Sequence, residues 1–157
     1  HPERIGGAAS VERRPPEREG SLMAPKPRVL DSWAMLAFFQ NESSADQVEK
    51  IINEAHATGA DLMMSVVNAG EIWYSIARTH SPKQADSIIA ELRTLNIAFI
   101  DADWDLTQLA AAFKAKGKIA YADCFAAAVA KKFRADLVTG DPELKQVEGN
   151  EVNIIWV

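Results

Sequence analysis

From residue 28 onward, short apolar runs alternate with longer segments in which apolar residues recur at helical spacing. The runs predict five strands, at 29–30, 62–64, 97–100, 137–139 and 152–157. The other segments predict helices at 32–40, 44–58, 66–79, 82–95, 103–116 and 121–134, and a short helical turn at 142–147. Strands that are separated by helices form parallel sheets with both faces covered, so we predict one α/β domain.

The first 27 residues do not share this pattern. They hold five of the seven prolines in the chain, together with many charges and no apolar periodicity. Such a segment buries too little apolar surface to offset the entropy that folding costs. We therefore predict a disordered extension at 1–27, with Met23 as a candidate natural start, and a single domain at 28–157.

The composition excludes several classes of protein and of site. Cys124 is the only cysteine, which excludes internal disulfides and cysteine-based zinc sites. The chain has no run of about 20 apolar residues and no apolar core of a secretory signal, so we expect a cytoplasmic protein without a membrane partner. The net charge of -5 argues against a passive nucleic-acid coat, although bound divalent cations can invert the local field of an enzyme.

Two aspartates follow predicted strands. Asp31 comes directly after the strand at 29–30, and Asp141 comes two residues after the strand at 137–139. In open parallel sheets, binding sites form at these carboxyl ends. Both residues have an alternative interpretation as helix N-caps, because Asp is a favoured cap and Pro142 suits the first helical position. Taken singly, each is explained more simply as a cap.

Two further carboxylates lie in predicted helices. Glu71 has neighbours that look buried, where a carboxylate is costly unless it is paired, protonated or bound to a cation. The alternative for Glu71 is an exposed helix face shared with Asn68 and Arg78, or an ion pair with Arg78. Asp123 lies in the first turn of its helix, where the helix dipole alone favours negative charge. Alanines on the same face would let this helix approach the sheet closely.

As a set, these carboxylates indicate a metal pocket. Three of them lie at element ends on one edge of the sheet, and carboxylates in close contact cannot all ionise without a counter-charge. Oxygen donors without a cysteine or a suitable histidine select Mg²⁺, or Mn²⁺, over zinc. The predicted pocket consists of Asp31, Glu71, Asp123 and Asp141.

Four segments resemble the PIN domain and, more narrowly, the VapC ribonuclease toxins of type II toxin–antitoxin systems. They are VLDS at 29–32, NAGEI at 68–72, YADCFAAA at 121–128 and TGDPE at 139–143. The segments stand in the order and spacing of the family, and the last two are the most specific. The resemblance covers nearly the whole chain from about residue 28 to residue 157.

The resemblance implies a three-layer α/β/α sandwich with a parallel five-stranded sheet, and a Mg²⁺-dependent endoribonuclease site. It implies that Thr139 and Ser32 orient the ligands as neighbours of the metal-binding carboxylates. The family often carries another acidic residue, usually Asp, two positions after its last aspartate, and here that residue is Glu143. The implied catalytic and metal-binding residues are Asp31, Glu71, Asp123 and Asp141.

An acidic protein that binds RNA needs a local basic surface. The candidate cations are Lys114, Lys116, Lys118 and Arg78, with Lys131, Lys132 and Arg134 after the Asp123 motif. A solvated helix face is the alternative interpretation of all of them. The resemblance also implies a cognate antitoxin and a homodimer, whose interfaces would absorb the apolar surface of Trp33 and of residues 35–39.

Three other functions fit parts of the sequence. A phosphotransfer module would use Asp31 as its nucleophile, but the phosphatase class needs a second aspartate where Trp33 stands. A non-catalytic PIN-like module that binds RNA or protein would show neither Mg²⁺-dependent stabilisation nor cleavage. A housekeeping RNA-processing nuclease would share the pocket, and its gene would not lie next to an antitoxin gene.

Overall fold

A computed structural model describes residues 24–149 and 151–157. Most of the predicted extension at 1–27 therefore lies outside the described residues. The backbone N–H of Asp136 donates to the carbonyl of Pro27 at 2.9 Å. The Lys26 ammonium forms an ion pair with the Asp136 carboxylate at 2.5 Å. Lys26 and Pro27, which directly precede the first strand, thus contact the sheet at Asp136.

The described chain alternates strands and helices in the predicted order. The strands are β1 (Arg28–Leu30), β2 (Leu62–Ser65), β3 (Ile97–Ile100), β4 (Asp136–Thr139) and β5 (Asn153–Trp156). The helices are α1 (Ser32–Phe39), α2 (Ala45–Thr58), α3 (Val66–Thr79), α4 (Pro82–Thr94), α5 (Trp104–Lys116) and α6 (Tyr121–Phe133), with a 3-10 helix at Pro142–Val147. The five strands pair in parallel in the order β3-β2-β1-β4-β5, which confirms the predicted sheet.

Local sequence signals set several helix boundaries. The Ser65 hydroxyl caps α3 by accepting from Val67 N at 3.1 Å, and Asp103 caps α5 through Leu106 N at 2.9 Å. Gly59 ends α2 with a φ of 75°, a left-handed conformation that glycine adopts at little cost. Among the described residues, none of the helices has the length and apolarity needed to cross a bilayer.

Helices cover both faces of the sheet. Successive side chains of a strand point to opposite faces. Val29, Met63 and Leu137 enter the core formed with α5 and α6, and the residue that follows each of them enters the core formed with α1 to α4. This division confirms the three-layer α/β/α sandwich.

Most of α6 is buried beside the sheet. Every residue of this helix from Asp123 to Ala130 is buried, and its alanines share a core with Val29 and Leu137. Because alanine side chains are short, the helix contacts β1, β2 and β4 closely. The carboxylate of Asp123 is thereby carried to the inside of the domain rather than to its surface.

The strand order creates a crevice between β1 and β4. The chain passes from β1 to β2 and β3 on one side, and then returns to place β4 and β5 on the other side. Loops that follow β1 and β4 therefore lead to opposite faces of the sheet, and open α/β sheets bind ligands in the crevice left between such loops. Asp31 and Asp141 follow these two strands.

Candidate metal centre

Asp31 is completely buried at the end of β1. One carboxylate oxygen, Oδ1, accepts from Ala34 N at 2.8 Å and caps α1, as the simpler interpretation of the sequence proposed. The other oxygen, Oδ2, accepts a short hydrogen bond from the hydroxyl of Thr139. A cap does not need this second contact, so capping and a role in the crevice coexist in one side chain.

Thr139 connects the ends of the two central strands. Its hydroxyl donates to Asp31 and accepts from the backbone N–H of Asp141 at 3.0 Å. The side chain is fully buried, which leaves these two contacts as a fixed link between residues that are far apart in sequence. The resemblance implies an orienting role for Thr139, and these two contacts are where the structure places its hydroxyl.

Three carboxylates converge at the mouth of the crevice. One carboxylate oxygen from each of Asp123, Asp141 and Glu143 lies within 4.8 Å of the other two. Asp141 caps the 3-10 helix by accepting from Glu143 N at 3.0 Å, and Glu143 Oε2 accepts from Ala120 N at 3.3 Å. Asp123 is buried, Asp141 is half-buried and Glu143 is exposed, so the group reaches from the interior to solvent.

Glu71 faces the same site from α3. Its Oε1 accepts from the Ser32 hydroxyl at 2.8 Å and from Asn68 Nδ2 at 3.0 Å. Glu71 is half-buried, and the Arg78 guanidinium lies instead over the Tyr74 ring, 5.2 Å from its centroid. The exposed face shared with Asn68, and the ion pair with Arg78, are therefore wrong as accounts of Glu71.

Asn68 is the residue that the sequence interpretation missed. It is completely buried, and its Nδ2 also donates to the Ala122 carbonyl of α6 at 3.2 Å. One amide group thus holds Glu71 and connects α3 to α6. The spacing of three residues between Asn68 and Glu71 was the available signal, because residues at i and i+3 meet on one helix face.

The electrostatics of the site disfavour ionisation without a cation. Burial raises the pKa of Asp31 to about 7, against the lowering effect of the Thr139 hydrogen bond. Burial raises the pKa of Asp123 to about 8, and the nearby charges of Asp141 and Asp31 add to the increase. Carboxylic acids with such pKa values are not fully ionised at neutral pH, and a bound cation would reverse both shifts.

The donor set fits a hard divalent cation. Its side chains offer carboxylate oxygens, and Mg²⁺ and Mn²⁺ prefer such ligands to nitrogen or sulfur. Cys124 is the neighbour of Asp123 along the chain, but it is buried in the core of α6. Among the described residues, the group that could hold a metal therefore consists of carboxylates alone.

The candidate RNA-binding lysines at the end of α5 and just after it have different environments in the structure. The Lys114 ammonium donates to the Ile119 carbonyl at 2.6 Å and closes the loop between α5 and α6. Lys116 lines a cavity of about 400 Å³ together with Lys131. The backbone N–H of Lys118 donates to the Gln146 side chain at 3.1 Å. Lys118 is exposed.

The apolar surface expected at the start of the domain is largely internal. Met35 is fully buried, and Leu36, Phe38 and Phe39 pack partly buried against the core of α1 to α4. The large apolar side chains that are exposed within residues 24–149 and 151–157 lie elsewhere. They are Trp73, Tyr74, Trp104, Tyr121 and Trp156.

A family model described as the PIN domain matches residues 28–150 of this chain. This span includes β1 to β4, all six helices and every residue of the acidic group. No curated protein matches the chain in a comparison of sequences.

Solved structures of toxin–antitoxin proteins share the fold. VapBC2 from Rickettsia felis, bound to a DNA fragment from their promoter, has a TM-score of 0.65 at 15% identity, and the match covers 83% of this chain and 98% of that chain. DNA-bound VapBC from Salmonella typhimurium has a TM-score of 0.64 at 12% identity, with 83% and 98% covered. Mycobacterium tuberculosis VapC20, a sarcin-ricin loop cleaving toxin, has a TM-score of 0.62 at 16% identity, with 80% and 98% covered. At these identities the likeness concerns the fold alone.

Proposed function

The chain belongs to the PIN domain family, and on this basis we propose that it is a Mg²⁺-dependent endoribonuclease, the toxin of a toxin–antitoxin pair. The observation that supports the proposal most directly is the convergence of Asp123, Asp141 and Glu143 within 4.8 Å at the crevice between β1 and β4. Mn²⁺ would suit the same oxygen donors.

Some residues of the site would bind the ion, and Glu71 would orient the attacking water. A bound divalent cation would lower the pKa of a water molecule and neutralise charge on the phosphodiester during in-line displacement. Asp123, Asp141 and Glu143 would hold the ion, with Asp31 as a further ligand in a fixed orientation. Glu71, whose Oε1 is already engaged by two donors, would use Oε2 to orient the attacking water.

The RNA substrate would lie over the carboxyl ends of β1 and β4. The site itself is acidic, so the phosphate backbone needs cations at its margins. Lys118 is suitably placed, because its segment leads directly into α6 and is bonded to the 3-10 helix through Gln146. Lys114 contributes to the same place indirectly, since it fixes the loop that carries Lys118.

An RNA cleavage assay with and without Mg²⁺ tests this function. The full chain, freed of metal with a chelator, should cleave RNA only after Mg²⁺ is restored, and Asp123→Asn should lose the activity. Asp105→Asn is the matched control, because Asp105 is an exposed residue in the first turn of α5. Cleavage that persists in Asp123→Asn, or that proceeds fully in chelator, would contradict the proposal.

A cognate antitoxin is the proposed protein partner, and a homodimer is the proposed assembly. Structural relatives include VapBC complexes, which contain both partners of such a pair. Exposed Trp73 and Tyr74 on α3 offer apolar surface for one of these contacts. Co-expression with the product of a small gene adjacent to its own should suppress cleavage. A nuclease whose gene has no such neighbour would instead serve housekeeping RNA processing.

A further inference from the structure

The indole of Trp33 lies directly against Gly140. Trp33 is in the first turn of α1, two residues after Asp31, and Gly140 joins Thr139 to Asp141. A Cβ atom added to Gly140 would lie within 2.7 Å of three ring carbons of Trp33: Cη2, Cζ3 and Cζ2. All three nearest atoms belong to this one side chain, and a rigid ring cannot give way as a flexible chain end can.

Gly140 is required by space and not by backbone conformation. Gly59 and Gly149 have positive φ angles, whereas the backbone of Gly140 is outside the left-handed region. A residue with a side chain could therefore adopt the backbone conformation at position 140 if the indole were absent. The indole of Trp33 occupies the space that a side chain at position 140 would need.

Trp33 supports the site rather than a hydrophobic core. It is half-buried, and it belongs to neither of the two cores formed by the described residues. The family resemblance assigns the apolar surface of Trp33 to an antitoxin or homodimer interface. The structure gives its ring a different neighbour, the peptide segment that carries a candidate metal ligand.

Asp141 needs such support. Its backbone N–H donates to Thr139, and its Oδ1 accepts from Glu143 N, but the residue is only half-buried at the edge of the crevice. A ring packed on Gly140 restricts the one residue between Thr139 and Asp141. The Asp141 carboxylate that follows this residue lies within reach of Asp123 and Glu143.

We infer that Trp33 is a positioning residue that acts through Gly140 to hold Asp141 in the metal site. The inference rests on the proposed function for its consequence in catalysis. The contact itself can be tested in the metal-free protein, where activity plays no part.

The first test is a double-mutant cycle on the melting temperature (Tm) of the full chain in chelator. Gly140→Ala should lower the Tm by roughly 3–10 °C, because the added methyl group overpacks the ring. In a Trp33→Leu background, the same change should cost little, since leucine leaves room for the methyl group. Gly70→Ala is the matched control, because a Cβ there meets nothing within 4 Å and should not lower the Tm.

The second test measures Mg²⁺ binding by calorimetry in the same variants. Gly140→Ala and Trp33→Leu should each weaken Mg²⁺ binding by about 10- to 100-fold, as expected when a support of a metal ligand is lost. RNA cleavage should then show a lower kcat at saturating RNA, with little change in KM. The Gly70→Ala control should bind Mg²⁺ as the wild type does.

Two results would overturn the inference. One is a Tm cost of Gly140→Ala that is the same with and without the indole. The other is a Trp33→Leu variant that binds Mg²⁺ normally and only raises KM, which would make Trp33 a contact for an RNA base. If the wild type binds Mg²⁺ but cleaves no RNA, the proposed function fails. The double-mutant cycle on Tm still tests the contact between Trp33 and Gly140 in that case.

Discussion

The two ends of the acidic site differ in how firmly they are held. At the inner end, Asp31 and Thr139, which we term the buried pair, are fully buried and bonded to each other. At the outer end, Asp141 and Glu143, which we term the rim pair, are half-buried and exposed, and their contacts run mainly to backbone N–H groups. Asp123 is buried but lies within 4.8 Å of both members of the rim pair.

This difference indicates two kinds of contribution to one site. A buried carboxylate is tolerated only where its oxygens are hydrogen-bonded, so the buried pair has one arrangement and serves as a frame. The rim pair can adjust to an incoming ion at small cost, because water solvates it before binding. Substitutions in the buried pair should therefore affect catalysis and stability more strongly than substitutions in the rim pair.

Among substitutions in the buried pair and the rim pair, the largest effect is expected for Asp31→Asn. The amide removes the negative charge and keeps the shape, so RNA cleavage should fall by about 10²- to 10³-fold, the loss typical of a positioned electrostatic group. The measurement is the initial rate at saturating Mg²⁺, with Asp105→Asn as the control. Wild-type activity in Asp31→Asn would mean that Asp31 is only a helix cap.

A pH titration of stability should reveal the same buried group. The folded-state pKa of Asp31 is about 7, above the ordinary value near 3.8, so the unfolded chain releases its proton first as the pH rises. The free energy of unfolding in chelator should thus be highest at acidic pH and decrease by about 2–4 kcal/mol between pH 4 and pH 7.5. Asp123, with a pKa of about 8, should extend the decrease to higher pH.

The control for this titration is Asp31→Asn, which should flatten part of the decrease and be more stable than the wild type at pH 7.5 without metal. Urea unfolding at each pH provides the measurement. A wild type that gains stability from pH 4 to pH 7.5 by the same amount as Asp31→Asn would contradict the raised pKa.

Thr139→Val should break the link between the two pairs. Valine keeps the shape but leaves Asp31 Oδ2 and the Asp141 N–H without the hydroxyl. We expect about a 10- to 100-fold loss of cleavage and about 1–3 kcal/mol lower stability. Thr139→Ser retains the hydroxyl and should restore most of both. Equal losses in the two variants would show that the methyl group, rather than the hydroxyl, matters.

The smallest effect is expected for Glu143→Gln. The amide oxygen can still accept from Ala120 N, and solvent can supply the missing ligand at this exposed position. Cleavage should fall by less than about 10-fold. A higher Mg²⁺ concentration should restore it, because a weaker ligand lowers the affinity of the site for Mg²⁺. A loss as large as that of Asp31→Asn would remove the distinction between the buried pair and the rim pair.

Several features of this fold follow from residues that are close in sequence. The alternation of apolar runs and helical segments predicted all five strands, because strand and helix patterns depend on neighbours within a few positions. Ser65 and Gly59 mark the start of α3 and the end of α2 for the same reason. The carboxyl ends of parallel strands meet at one edge, so Asp31 and Asp141 could be placed near each other in advance.

Other features depend on residues that only the folded chain brings together. Thr139 meets Asp31 across 108 positions because β1 pairs with β4, with Leu30 opposite Val138. Asn68 has no sequence pattern that marks it as buried, since its burial comes from the packing of α3 against α6.

The sequence by itself determined the α/β class, the order of the elements and the four carboxylates of the predicted pocket. The tertiary structure decided which of them form the closest group. It brought Glu143 to Asp123 and Asp141, and it set the indole of Trp33 on Gly140. The physical reason is range: patterns in sequence report the local backbone, whereas burial, distance and pKa depend on strand register and on the packing of distant helices.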